Sequence, residues 1–229
     1  MTSIHENLDQ IRARIAAACA NGGRNPETVR LVAVSKVKSA ELVDTAYAAG
    51  QKIFGESYVQ EFRDKAEAVT HPVEWHFIGA LQSNKVKYLR GQVALIHSVD
   101  RLSLAKEINR QWQKIDAVAA VLLQVNVGDE STKAGCDIDH LEQLVLQVAE
   151  LPHLQIQGLM CLPPYFADPE LVRPYFRRLR ELAAEIEKQQ LPRVMMKELS
   201  MGMSGDFEVA VEEGATLVRI GTAIFGERE

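Results

Sequence analysis

Leu31-Val32-Ala33-Val34-Ser35-Lys36 is an apolar, β-branched run that ends in a lysine, and its reading decides the fold. It predicts a strand near 30 to 36, and the same kind of run recurs along the chain. Further strands are expected near 51 to 55, 74 to 79, 93 to 98, 118 to 126, 154 to 160, 196 to 200 and 216 to 220. Between them the spacing predicts helices over Ser39–Ala49, Tyr58–Val69, Ser83–Leu89, Arg101–Ile115, Ile138–Glu150, Glu170–Gln189 and Phe207–Glu213. Eight strands alternating with helices close a barrel, so the expected fold is a single (β/α)8 TIM barrel occupying residues 1–229 as one domain. A doubly wound open sheet is the alternative. It would normally carry a Gly-x-Gly-x-x-Gly turn after its first strand, which Ser35-Lys36-Val37-Lys38-Ser39 is not. Ahead of the series, Ile4, Leu8, Ile11 and Ile15 form an apolar helical stripe that Asn21-Gly22-Gly23 ends, predicting an extra N-terminal helix.

Composition bounds the function. With 229 residues and 47% apolar residues the chain can bury a large core. A formal net charge of -5 provides no basic field for a nucleic-acid backbone. Cys19, Cys136 and Cys161 are odd in number and form no Cys-x-x-Cys pair, which argues against a disulfide framework or thiolate metal site and fits reduced thiols in a cytoplasm. The histidines at 5, 71, 76, 97, 140 and 153 lack His-x-x-x-His spacing, so no metal is expected. Met1-Thr2-Ser3-Ile4-His5-Glu6 has neither a basic n-region nor an apolar h-region, and no run approaches the roughly 18 apolar residues of a membrane span.

Chemistry concentrates at predicted strand ends. An ammonium costs free energy to bury, so Lys36 in apolar surroundings tends towards a neutral amine that can condense with an aldehyde; the other reading is a strand-end lysine reaching solvent. The seventh strand runs into Leu199-Ser200-Met201-Gly202-Met203-Ser204-Gly205-Asp206 and the eighth into Arg219-Ile220-Gly221-Thr222. Barrels commonly bind phosphate between these two loops, which makes Ser200, Ser204, Gly221 and Thr222 a candidate cradle. Ordinary turn chemistry, with Asp206 capping the next helix, is the competing reading. Residues two apart share a strand face, so Val32, Val34 and Lys36 fall together, as do Leu217, Arg219 and Gly221. If both faces point inward, Lys36 and Arg219 share a mouth with the cradle. An inward arginine needs an acceptor, and an ion pair with Glu198 competes for it. An aldehyde-capturing lysine, a phosphate cradle and an arginine able to bond a ring nitrogen describe a site for pyridoxal 5′-phosphate.

Val34-Ser35-Lys36, Phe54-Gly55-Glu56-Ser57-Tyr58-Val59-Gln60-Glu61, Trp75-His76-Phe77-Ile78-Gly79-Ala80-Leu81-Gln82-Ser83-Asn84-Lys85, Leu199 to Ser204 and Val218-Arg219-Ile220-Gly221-Thr222 resemble, in order over essentially the whole chain, the pyridoxal phosphate homeostasis protein family. The resemblance implies a barrel similar to the N-terminal domain of alanine racemase, a fold-type III pyridoxal phosphate barrel, with the cofactor held as a Schiff base. It matches Lys36 to the cofactor lysine, Ser200, Ser204, Gly221 and Thr222 to the phosphate-contacting segments, and Arg219 to the residue facing the pyridine nitrogen. Ser57 stands where the family usually has asparagine; serine is shorter and lacks the amide. Met201 and Met203 are placed to pack on the ring, or to fill the core. His76 lies in the densest motif, as a cofactor-site residue or a satisfied structural one. Ser131-Thr132-Lys133-Ala134-Gly135 also matches, offering Lys133 as a weaker second amine or a solvated loop residue.

Racemisation through this cofactor needs acid/base groups on both faces of the substrate carbon. Lys36 supplies one. In alanine racemase the other is a tyrosine from a C-terminal domain of the partner subunit, and the sequence ends at Glu229, shortly after the eighth strand. A permanent cation at the ring nitrogen also weakens the pyridine as an electron sink. The expectation is therefore a cytoplasmic carrier that holds pyridoxal phosphate and hands it to recipient apo-enzymes, with no catalytic residue, nucleic acid or membrane involved. A pyridoxal-phosphate-dependent amino-acid racemase is the alternative; a phosphate-ester barrel enzyme without pyridoxal is a third reading.

Overall fold

In the computed structural model residues 3–128 and 134–227 are described. Eight strands form: β1 (Arg30–Val34), β2 (Ile53–Glu56), β3 (Glu74–Phe77), β4 (Leu95–Val99), β5 (Ala119–Asn126), β6 (Leu154–Cys161), β7 (Val194–Ser200) and β8 (Leu217–Ile220). Each pairs in parallel with its neighbours. β4 joins β5, and β1 joins β2 on one side and β8 on the other, so the sheet closes on itself. This is the TIM barrel, and closure excludes the open-sheet alternative. A two-residue strand, Cys136–Asp137, adds to β5 outside the ring.

Helices cover the strands: α1 (Ile4–Asn21), α2 (Ala40–Ala48), α3 (Val59–Ala68), α4 (Leu102–Gln113), α5 (Ile138–Ala149), α6 (Arg173–Glu187), α7 (Phe207–Glu212) and α8 (Thr222–Phe225). The N-terminal α1 opens with a reciprocal cap. The Ser3 hydroxyl accepts from the Glu6 N–H, and Glu6 accepts from the Ser3 N–H at 2.7 Å. Leu8, Ile11 and Ile15 of the predicted stripe are buried, and α1 packs on α7.

Two predicted helices differ. Ser83–Tyr88 winds as a 3-10 turn with Val86 alone buried, too narrow an apolar face to hold an α-helix against the sheet. The segment expected to start a helix at Glu170 makes a 3-10 turn over Pro169–Val172 before α6 begins, with Pro174 in its first turn where no N–H is needed. β1 also ends earlier than expected. The Ser35 carbonyl turns to the Lys38 N–H and the Lys65 ammonium, so Lys36 sits two residues past the strand.

Val32, Ile53, Leu95, Leu122, Met160 and Leu217 fill the barrel lumen, and a larger apolar cluster that includes Phe54, Phe62, Trp75, Phe176 and Phe207 fills the space between strands and helices. Val32 and Leu217 in the lumen fix the inward face of β1 and β8. Beside them in the interior are buried polar side chains: His76, His97, Ser200 and Arg219. No helix among the described residues is long and apolar enough to cross a membrane.

Between β6 and β7 the register shifts from Ile156↔Val194 to Gly158↔Glu198, and a Cβ on Gly158 would stand 1.8 Å from the Glu198 carbonyl oxygen. Gly158→Ala must push two barrel strands apart and is expected to lower stability by about 3 kcal/mol. The urea midpoint measures it, and an unchanged midpoint contradicts the contact.

Candidate functional site

The turn after β1 is built to aim Lys36. Lys38 donates to the Ser35 carbonyl at 3.0 Å, closing the turn, and Val37 takes φ 63, a left-handed conformation costly for a β-branched residue. Its N–H is held by the Glu61 carboxylate. Beneath the turn, Ser35 Oγ donates to Glu56 Oε1 at 2.6 Å. The Lys65 ammonium donates to the same oxygen at 2.7 Å, to Glu61 Oε1 at 2.6 Å and to the Ser35 carbonyl. Glu56 and Lys65 are both buried; burial pushes the Glu56 carboxyl up against the opposing charge of Lys65. With Ser35 pinned on the outer face, the turn leaves Lys36 on the cavity wall. Glu56, Glu61 and Lys65 were not singled out from sequence, although Glu61 and Lys65 stand at i, i+4 spacing, the signal that would have paired them.

Arg219 lies on β8, where Val32↔Arg219 is a register pair with β1. It is only 3% exposed. One guanidinium nitrogen donates to Ser200 Oγ at 2.6 Å and the other to the Cys161 carbonyl at 2.9 Å. The competing ion pair does not form: Glu198 takes Arg30 at 2.6 Å and the Thr216 hydroxyl at 2.6 Å. Behind Arg219, Ser200 Oγ is 2.8 Å from His97 Nδ1, His97 Nε2 is 2.9 Å from His76 Nδ1, and His76 Nε2 is 2.9 Å from Glu74 Oε1. Burial holds His97 well below the usual histidine range, as a neutral ring.

A cavity of about 480 Å³ opens at the C-terminal ends of the strands. Of the residues named from sequence, Lys36, Ser57, Ser204, Arg219, Gly221 and Thr222 line it. Ser200, His76 and Met201 do not. Ser200 and His76 are engaged behind the guanidinium, so Ser200 meets Arg219 where a phosphate contact was expected. Met201 is fully buried in the cluster between strands and helices, because the residue after Ser200 faces outward; Met203, two further on, reaches the cavity. Lys133 lies outside the described residues.

The turn after β7 is fixed by its own bonds. The Met203 N–H donates to Asp206 Oδ1 at 2.6 Å, and the Asp206 and Phe207 N–H groups donate to the Met203 carbonyl. Asp206 occupies the cap position of α7, but its side chain serves this turn in place of the helix. Gly202 has φ 89, and a Cβ there would stand 2.5 Å from that of Ala210, so only glycine fits. Gly205 opens on empty space. Lys38, Arg219 and the amine of Lys36 stand on the wall with one carboxyl, Asp206, which burial pushes up. A small dianion carrying an aldehyde suits that balance.

The family model for the alanine racemase N-terminal domain matches residues 6–229. Pyridoxal phosphate homeostasis proteins of Aquifex aeolicus and Pseudomonas aeruginosa are 50% and 44% identical over 225 and 230 residues, covering 98% and 100% of this chain and 98% and 97% of theirs. PipY from Synechococcus elongatus PCC7942, solved with PLP bound, is 37% identical with a TM-score of 0.86, covering 98% of this chain and 100% of that one. Alanine racemase from Corynebacterium glutamicum shares the fold, with a TM-score of 0.69 at 17% identity over 96% of this chain and 62% of that one. On these matches, with a closed barrel and a lysine and an arginine meeting in its mouth, the chain belongs to the pyridoxal phosphate homeostasis protein family.

Proposed function

We propose that this chain holds pyridoxal phosphate reversibly in the mouth of one cofactor-binding barrel and passes it to apo-enzymes inside the cell. Lys36 takes the aldehyde carbon, Arg219 faces the ring nitrogen, and Ser204 with Gly205, and Gly221 with Thr222, receive the phosphate. When bound, the cofactor supplies a carbonyl that amines attack. The observation that carries this reading is the convergence of Lys36, Arg219 and two hydroxyl-bearing glycine turns on one cavity of about 480 Å³. PLP in PipY and the homeostasis names of the closely matching relatives support it. The cysteines Cys19, Cys136 and Cys161, all buried and unpaired, support a reducing compartment.

Holding is favoured over turnover. Besides the amines and the guanidinium, the titratable side chains on the cavity wall among the described residues are Tyr165 and Asp206. Tyr165 is 89% exposed at the rim, and Asp206 is committed to the Met203 N–H. Neither stands as an acid/base group fixed opposite Lys36. The Arg219 cation disfavours protonation of the ring nitrogen it faces, which removes electron-withdrawing power from the ring.

Protein mixed with pyridoxal phosphate is expected to show imine absorbance, and borohydride is expected to fix the label on the peptide containing Lys36. Lys36→Ala should lose both; a retained band sinks the assignment. Replacing both hydroxyls, Ser204→Ala with Thr222→Val, is expected to weaken pyridoxal phosphate binding at least about tenfold, because a hydrogen bond to a charged group contributes about 1.5–3 kcal/mol. An unaltered Kd, with inorganic phosphate as competitor, contradicts the cradle. For loaded protein in deuterium oxide, NMR should find no sustained exchange at the α-carbon of amino acids. Steady turnover there would replace the carrier reading with the racemase.

A further inference from the structure

Glu74, His76, His97 and Ser200 line up behind Arg219 and touch nothing in the cavity. They join a half-exposed carboxylate on β3 to the guanidinium on β8 through three contacts of 2.9, 2.9 and 2.8 Å and a fourth of 2.6 Å. With both rings neutral, one proton assignment satisfies every contact. The Glu74 carboxylate can only accept, so His76 donates from Nε2 and leaves Nδ1 to accept. His97 must then donate from Nε2, leaving its Nδ1 to accept from the Ser200 hydroxyl. Ser200 Oγ thereby presents its lone pairs to Arg219. Each group is committed by the one before it, starting from Glu74.

We propose that Glu74, His76, His97 and Ser200 form a positioning column that fixes Arg219 in the cavity floor and so sets, from the far end of the barrel, the protonation of the ring nitrogen that Arg219 faces. The ring half of this inference rests on the proposed function; the column itself does not. Two physical points support it. Among the described residues no carboxylate lies within ion-pair distance of Arg219, so its position depends on neutral acceptors whose orientation must be supplied by something else. Glu74 is held ionised by its bond from His76, and burial keeps His97 neutral. The other charged or titratable groups around the column are Arg30, paired with Glu198, at the Glu74 end, and Cys161 and Asp206 at the Arg219 end.

Glu74→Lys tests the direction of the column at a half-exposed position remote from the cavity. A lysine donates where the carboxylate accepted, which forces the His76 and His97 protons onto Nδ1 and makes His97 compete with Arg219 for the Ser200 oxygen. Glu74→Gln can still accept through its amide oxygen and serves as the conservative rescue. In protein without ligand, nitrogen-15 shifts of labelled histidine are expected to report Nε2–H rings for His76 and His97 in the wild type and Glu74→Gln, and Nδ1–H rings in Glu74→Lys. In protein loaded with pyridoxal phosphate, the pH midpoint of the imine absorbance is expected to shift by about one unit from the wild type in Glu74→Lys and in Ser200→Ala, and to stay near the wild type in Glu74→Gln. Wild-type rings protonated on Nδ1, or one midpoint shared by all four proteins, overturn the column while leaving the pyridoxal phosphate reading intact. A wild type without imine absorbance overturns that reading and, with it, the control of ring protonation.

Discussion

Closure of β8 onto β1 is the constraint on which the site depends. The pair Val32↔Arg219 sets the height of the guanidinium against the first strand, and Lys36 lines the same cavity from the turn that follows that strand. Neither residue has to find the other by loop motion. The parallel ladder that seals the barrel also places an amine and a cation on one cavity wall, with the glycine turns after β7 and β8 completing the ring. A slip of one residue in this pairing would send Arg219 into the outer cluster, where its charge would meet only apolar side chains. The site and the closed barrel thus depend on the same register.

Two buried polar systems serve that wall by different physics. Outside the ring, Lys65 bridges Glu56, Glu61 and the Ser35 carbonyl, an ionic clamp under a strained turn. A buried ion pair repays its desolvation poorly, so net stability is a weak reason for its presence. Its geometry is the better one, since it holds Val37 in the conformation that leaves Lys36 facing inward. Inside the ring, Arg219 is held by neutral groups whose only ionised partner among the described residues is the distant Glu74. A carboxylate directly against Arg219 would cancel its charge at the cavity wall. A column of uncharged acceptors leaves that charge available.

What could be read from the chain alone follows the range of each signal. Strand alternation is local, and it brought Lys36 and Arg219 to one mouth. The two turns on the cavity wall after β7 and β8 were legible because glycine and hydroxyl residues cluster beside predicted strand ends. That clustering does not separate Ser200 from its neighbours: it is the last residue of β7, and its hydroxyl turns to Arg219 and His97 instead of the cavity. The contact between His97 and Ser200 spans 103 positions, and no spacing rule reaches that far. Ser83–Leu89 reads as a helix, whereas Ser83–Tyr88 winds as a 3-10 turn, because a short run with one buried apolar side chain cannot be told from a helical turn by periodicity.

The same arrangement bears on why a racemase-like barrel would act as a carrier. Catalysis on an amino acid through this cofactor needs a ring that withdraws electrons and a second group held opposite the lysine. Release to another protein needs a reversible covalent hold and a mouth from which the ligand can leave. In the proposed placement, Arg219 would work against the first requirement by disfavouring a protonated ring. The rim favours the second: Leu162, Tyr165 and Met203 line the cavity yet remain exposed, so the wall that contacts a bound ligand is also open to a partner. To act as an acid/base group, Tyr165 would have to be fixed by packing, and packing would close the exit. A barrel with this floor and this rim can be a good holder or, after changes to both, a good catalyst; the two demands conflict at the same residues.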